Sequence, residues 1–402
     1  MSRRPVVYLH VGEPKTGSTH LQSLMWRNRD ALARRGIVLP GKRRVSHWRA
    51  TQDLRQVDQN PNDPLGSHSG AWDRLAREAV RAPRAAVISH ELLSAVSEEQ
   101  ARRAVESFGN AEVHVILGLR DFATLLPAEW QESVKHRSTR AWTDWLGDVI
   151  DHEAADPDRR QFWFWRVHDT MEILRVWGAG LPPEQVHVVT VPPRGTAPDV
   201  LWRRFAGVIG ADPDDIEVEV APSNESLGVA EVELLRRINI EFPLEMPDWF
   251  YMNTVKNLIA AKTLGSSTNP ERLELPAQRR KWAMAQSTRV SDALRASGYD
   301  VVGDLSDLQP QPPRGARNPG ELSDAELLGP SLTVTTALLE AIAATQGIRI
   351  DPDAPVKEPT RIKRAAIAFS HRSRTVHRMR RGYWHAANAL RRSRFGKSRA
   401  RA

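Results

Sequence analysis

The 402-residue chain contains no cysteine. That absence removes disulfide staples, thiolate metal sites and cysteine nucleophiles together. No apolar segment approaches the length of a membrane span on this reading. The N-terminal MSRRPVVYLHVG has two arginines and a short apolar run, with neither a signal-length apolar core nor a small-residue cleavage site. These gaps predict an intracellular, cytoplasmic protein. A third shortage is local: residues 361–402 hold no Asp or Glu against 14 Lys and Arg. The formal net charge of +8 therefore belongs to the tail, since the first 360 residues carry 43 basic and 49 acidic groups. With 41% hydrophobic residues at this length, a sizeable core is easily built.

What is present starts with VVYLHVGEPKTGSTHLQSL, residues 6–24. The β-branched run Val6 to Val11 ends at Gly12, after which Leu21, Leu24, Met25 and Leu32 recur at helical spacing. That is strand, loop, helix. Similar apolar runs follow at 85–89, 113–119 and 186–191. Near-continuous apolar strands separated by helical segments predict an α/β protein, a central parallel sheet flanked by helices in three layers. Helices are predicted over 121–137, 163–177, 200–209, 225–240, 248–264, 275–297 and 321–346. GYDVVGDLSDLQP reads as an extended surface segment and Pro310 to Pro319 as a linker. The predicted organisation is a domain over 1–310, a linker and helical extension over 311–358, and a basic tail over 359–402. In the tail Val376, Met379, Tyr383, Ala387 and Leu390 recur at spacings of three and four among arginines, which predicts a basic amphipathic helix. An anionic membrane surface is its expected partner, ahead of nucleic acid and of the acidic remainder of the chain or of a second subunit, with a merely solvated, disordered extension as the other reading.

A Walker A loop reads G-x-x-x-x-G-K-[ST]. Gly12, Gly17 and Thr19 fit that frame, but Ser18 stands where the lysine belongs and Lys15 precedes Gly17 by two residues. Backbone N–H groups of such a turn still cradle an oxyanion, with the helix dipole behind them and Thr16, Ser18 and Thr19 adding hydroxyls. The standard triphosphate arrangement is lost.

PKTGSTHLQ resembles the 5′-phosphosulfate loop of sulfotransferases that use 3′-phosphoadenosine 5′-phosphosulfate (PAPS), in bacterial, actinobacterial-type form. The resemblance spans about residues 5–310 and implies a three-layer P-loop (sulfotransferase-like) fold with helical C-terminal additions. It implies PAPS as co-substrate, no metal, and a hydroxyl acceptor of carbohydrate or glycolipid type. By the same resemblance Pro14, Lys15, Thr16, Gly17, Ser18 and Thr19 hold the phosphosulfate, and Lys15 also serves catalysis at the leaving oxygen. Arg120, at the end of a later strand, holds the 3′-phosphate. The family's serine eight residues on is replaced by Ala128. Ser133 lies too late to substitute, which leaves Lys135 or Arg137 as support.

The family's base is a histidine in some branches and a glutamate in others. His47 follows the expected second strand, while His90 and Glu91 follow the strand 85–89, at the sheet edge where such folds bind ligands. His47 and Glu91 rank together, then His90, with His20 and Glu13 behind. Trp130, Trp142, Trp145, Trp163, Trp165 and Trp177 crowd one region, where indoles serve either core packing or an acceptor. Two other classes stay open: a P-loop kinase or NTPase, disfavoured by the displaced lysine, and a non-catalytic nucleotide module, kept open by Ala128.

Overall fold

The structure is a computed structural model that describes residues 4–57, 68–155, 159–216, 226–242, 245–267, 271–312, 315 and 317–346. The basic-tail helix predicted from residue 376 onward lies outside them. Six strands, β1 Val6–Gly12, β2 Ile37–Val38, β3 Ala85–Ser89, β4 Glu112–Leu119, β5 Val186–Thr190 and β6 Asp300–Val302, form one sheet in the order β2-β3-β1-β4-β5-β6. Every pairing is parallel.

A parallel sheet needs helical crossovers that cover both faces, so its strands are apolar on both sides. β3 shows this directly: Ala86 and Ile88 face one core and Ala85 and Val87 the other. The first core is closed by Trp72, Trp130, Trp165 and Trp177, and the second by Leu21, Met25, Trp202 and Phe205. The expected three-layer α/β architecture is therefore the observed one. The chain leaves β1 for β2 and β3 on one side and then crosses to β4 on the other, which opens a crevice at the carboxyl end of β1.

Three expectations need correction. The helix predicted over 163–177 breaks at Asp169 (φ −80°, ψ 79°) into Trp163–His168 and Thr170–Gly178. GYDVVGDLSDLQP supplies β6, the sixth strand, through hydrogen bonding of 300–302 beside β5. Contacts join the described residues up to Leu339 into one compact unit. Finally, the helix Asp324–Thr345 is long and apolar enough by composition to cross a membrane, although no such segment was expected.

Candidate active site

Residues 13–17 close the turn between β1 and the helix Ser18–Arg27. Gly12, Lys15 and Gly17 have φ of 118°, 61° and 84°. The left-handed values at the two glycines suit residues without a Cβ. Two contacts fasten the turn to its neighbours. Glu13 N donates to Gly118 O at 3.2 Å, and the Thr16 hydroxyl donates to Glu13 O at 2.6 Å. Gly118 permits the approach, because a Cβ there would stand 2.8 Å from Thr16 Oγ1. The first turn of the helix, which has no side-chain cap, presents its N–H groups toward this loop.

Lys15 does not point into solvent. Its Nζ donates to Glu132 Oε2 at 2.7 Å, and Lys256 Nζ approaches Glu132 Oε1 at 3.2 Å from the other side. His136 Nδ1 is 3.3 Å from the same carboxylate. Burial raises the Glu132 pKa, but Lys15 and Lys256 outweigh burial and hold it well below the usual carboxylate range. Lys135 shares this region: burial, with the charges of Lys15 and Lys256, depresses it against the pull of Glu132. One carboxylate thus balances a group of three lysines. Glu132 sits one helical turn beyond Ala128, on the same face of the helix Phe122–Lys135.

Arg120 directly follows β4 and donates through Nη1 to Lys15 O at 3.1 Å, so the arginine and the loop meet. Asp121 is not its hydrogen-bonding partner in the structure, since Asp121 Oδ1 accepts from Thr124 N at 2.9 Å as the cap of the helix Phe122–Lys135. Burial holds Arg120 below its ordinary value, with Asp121 opposing and Arg194 adding to the fall. Arg137 is committed elsewhere, to Asp248 and Met246 O, with its guanidinium over Phe242 and Tyr251. Ser133 donates to Trp130 O within its own helix.

Behind the loop lies a buried ion group. Glu13 accepts from His168 Nδ1 at 3.1 Å and from Thr170 Oγ1 at 2.6 Å, and Glu129 stands 3.6 Å from His168 Nε2. The break at Asp169 is what brings both His168 and Thr170 to the same carboxylate. Burial would depress His168, yet Glu129 and Glu13 push it up to about 9. The imidazolium is therefore charged at neutral pH, and it anchors the loop through Glu13.

The three base candidates are placed differently. His47, on the helix Val45–Leu54, is 1% exposed. Its Nδ1 accepts from Ser89 N at 3.2 Å and its Nε2 donates to Pro40 O at 3.0 Å. Both nitrogens serve the main chain, and burial lowers its pKa to about 4. His90 caps the short helix Glu91–Ala95 by accepting from Leu92 N at its Nδ1. Glu91 packs against the start of the loop, where a Cβ on Gly12 would meet Glu91 O at 2.9 Å. Its Oε2 accepts from Gln22 Nε2 at 3.1 Å, and Gln22 in turn accepts from Arg44 Nε. Burial raises the Glu91 pKa, but His90, Gln22 and Arg44 among others bring it below the ordinary value. His20, half-buried on the loop helix, is depressed by burial and by Arg27. Of the six tryptophans, Trp163 alone is exposed, at 44%, and the other five are core.

Sequence reasoning missed Glu132, Lys256, Gln22 and His168. Glu132 alone had a signal, its four-residue spacing from Ala128. Among the described residues no group of three or more His, Asp or Glu is arranged to hold a metal ion.

No protein-family model matches the chain, and no curated protein matches it. A solved structure with some likeness is the crystal structure of a sulfotransferase from Alicyclobacillus acidocaldarius, 17% identical, covering 60% of this chain and 94% of that one at a TM-score of 0.36. A likeness at that score decides nothing about this chain.

Proposed function

We propose that the protein is a sulfotransferase that moves the sulfuryl group of PAPS to a hydroxyl of a carbohydrate or glycolipid acceptor. The observation that carries this reading is the junction of Lys15 and Arg120: a cation at the entrance of an oxyanion-binding turn, with its carbonyl held by a second, partly buried cation. A donor with charge at both its 5′ and 3′ ends suits such a pair better than a nucleoside triphosphate does. The Walker lysine position is occupied by Ser18, which removes the usual reach to β- and γ-phosphates.

In the transfer, the acceptor oxygen attacks sulfur, the bond from sulfur to the 5′-phosphate oxygen breaks, and adenosine 3′,5′-bisphosphate leaves. Turn N–H groups and the hydroxyls of Ser18 and Thr19 orient the phosphosulfate. Lys15 gives up Glu132 and neutralises the leaving oxygen, a contact worth most when charge builds there. Glu132 keeps Lys256 as its counterion. Glu91 accepts the acceptor's proton, with Gln22 and Arg44 fixing its carboxylate; His90 is the next candidate. His47 ranks behind both, because accepting a proton would cost it a main-chain hydrogen bond.

Calorimetric titration with adenosine 3′,5′-bisphosphate, and with ADP as control, tests the reading. Tighter binding of the 3′,5′-bisphosphate supports it. Equal binding, or none, removes it.

A further inference from the structure

Four large apolar side chains are exposed on a single helix, Asp324–Thr345: Leu328, Leu332, Leu339 and Ile342, each more than half exposed. With Thr335 they follow a four-three-four-three spacing. At about 100° per residue this is one continuous stripe, turned by about 100° from the seam of Leu327, Val334 and Leu338 that packs into the core. The acidic residues do not interrupt it. Glu326 and Glu340 fall more than about 100° from its centre, and Asp324, at the end of the helix, is tied to Arg237 at 2.8 Å.

Length and hydropathy alone would let this helix span a bilayer. Spanning would pull Leu327 and Val334 from the core, where they are 4% and 6% exposed. A surface contact keeps them in place. Four side chains also fall well short of the roughly 800 Å² per partner that a stable dimer needs. The chain's own charge names a different partner. Some 15 residues beyond the helix begins the 361–402 segment, with 14 Lys and Arg and no Asp or Glu. An apolar face and a polybasic segment are the two signals that together hold a peripheral protein on anionic lipid, where either alone gives weak attachment.

We propose that the stripe of Leu328, Leu332, Leu339 and Ile342 is a docking surface for an anionic lipid bilayer, the polybasic segment supplying the electrostatic half of the attachment. The stripe enters the headgroup boundary lying flat, and the Asp324–Thr345 helix keeps its seam on the core.

The full-length protein is sedimented with vesicles of phosphatidylcholine and phosphatidylglycerol, and with phosphatidylcholine alone, at low salt and at about 0.5 M salt. The comparison is the triple variant Leu328→Ser, Leu332→Ser, Leu339→Ser. All three sites are exposed, so its melting temperature should match the parent's. The parent should pellet with anionic vesicles at low salt and much less with the other samples, and the variant's partition should fall by about tenfold or more. A parent that stays in the supernatant overturns the proposal. So does a variant that pellets like the parent, which would leave the attachment to charge alone. So does a parent that ignores vesicles but sediments as a dimer the variant cannot form, since the stripe would then be a subunit interface.

Discussion

Replacing His168 by glutamine should remove a stabilising charge whose size and pH range follow from its surroundings. The imidazole is fully buried between Glu13 and Glu129, and its pKa stands at about 9 against an ordinary 6.5. A folded value above the unfolded one means that the folded state binds the proton more tightly. The stability gained is complete below about pH 6.5 and is lost as pH rises through about 9. At about 1.4 kcal/mol per pH unit, the difference amounts to about 3 kcal/mol. Full burial leaves no solvent screening to reduce it. Glutamine retains a hydrogen-bond donor for Glu13 but no charge, so two buried carboxylates lose their counterion. Urea denaturation of both proteins at intervals from pH 6 to pH 10 measures the effect. The variant should be less stable by about 3 kcal/mol near pH 6.5, and the gap should narrow as the pH rises from there and be nearly closed by about pH 9. A parent curve parallel to the variant's across that window would refute a charged His168. Because Glu13 belongs to the turn, bisphosphate binding by the folded protein should weaken as the pH passes the folded value of about 9.

Glu132→Gln frees Lys15 from a half-buried ion pair and should tighten adenosine 3′,5′-bisphosphate binding by about fivefold, about 1 kcal/mol; calorimetry checks it, and weaker binding would make Glu132 a support of the site. Arg120→Ala should erase most of the preference over ADP, at a cost of about 1.5–3 kcal/mol for a charge-assisted contact; an unchanged preference would move 3′-phosphate recognition to another group. Glu91→Gln should lower the transfer rate by roughly 10² to 10⁴ with bisphosphate affinity intact. A near-normal rate would pass the base to His90, which His90→Gln would then reveal.

The central strands were legible because burial on both faces leaves an uninterrupted apolar run, as in 85–89 and 113–119. β6 was not, since three residues at a sheet edge, only partly buried, carry too little pattern to register. The break at Asp169 was invisible for the opposite reason. Phe164, Trp165 and Val167 lead into Ile173, Leu174 and Trp177 with the apolar face unbroken, so periodicity reports a buried surface and not a change of axis. The turn and Arg120 could be found from residue types at fixed spacing after a strand. The pairing of Lys15 with Glu132 was not legible, since the two are 117 residues apart and only the spacing of Glu132 from Ala128 marked it, and Lys256 lies a further 124 residues beyond Glu132. His47 shows the limit of reading chemistry from residue type, because its ring bridges Ser89 and Pro40 as a strut of the fold.

The close approach at Gly118 sets a span. Glu13 is bonded to the carbonyl of Gly118, Arg120 follows two residues later on the same strand end, and its guanidinium returns to the carbonyl of Lys15. Turn and arginine therefore form one closed circuit of main chain and side chain, with no room for a methyl group at position 118. On the proposed function, a ligand with anionic groups at both ends would meet a turn and an arginine already joined, so less of its binding energy would go into ordering the backbone. The same closure would make that site intolerant of length: under the proposed function, a molecule whose two charges are spaced differently would satisfy the turn or the arginine, but not both.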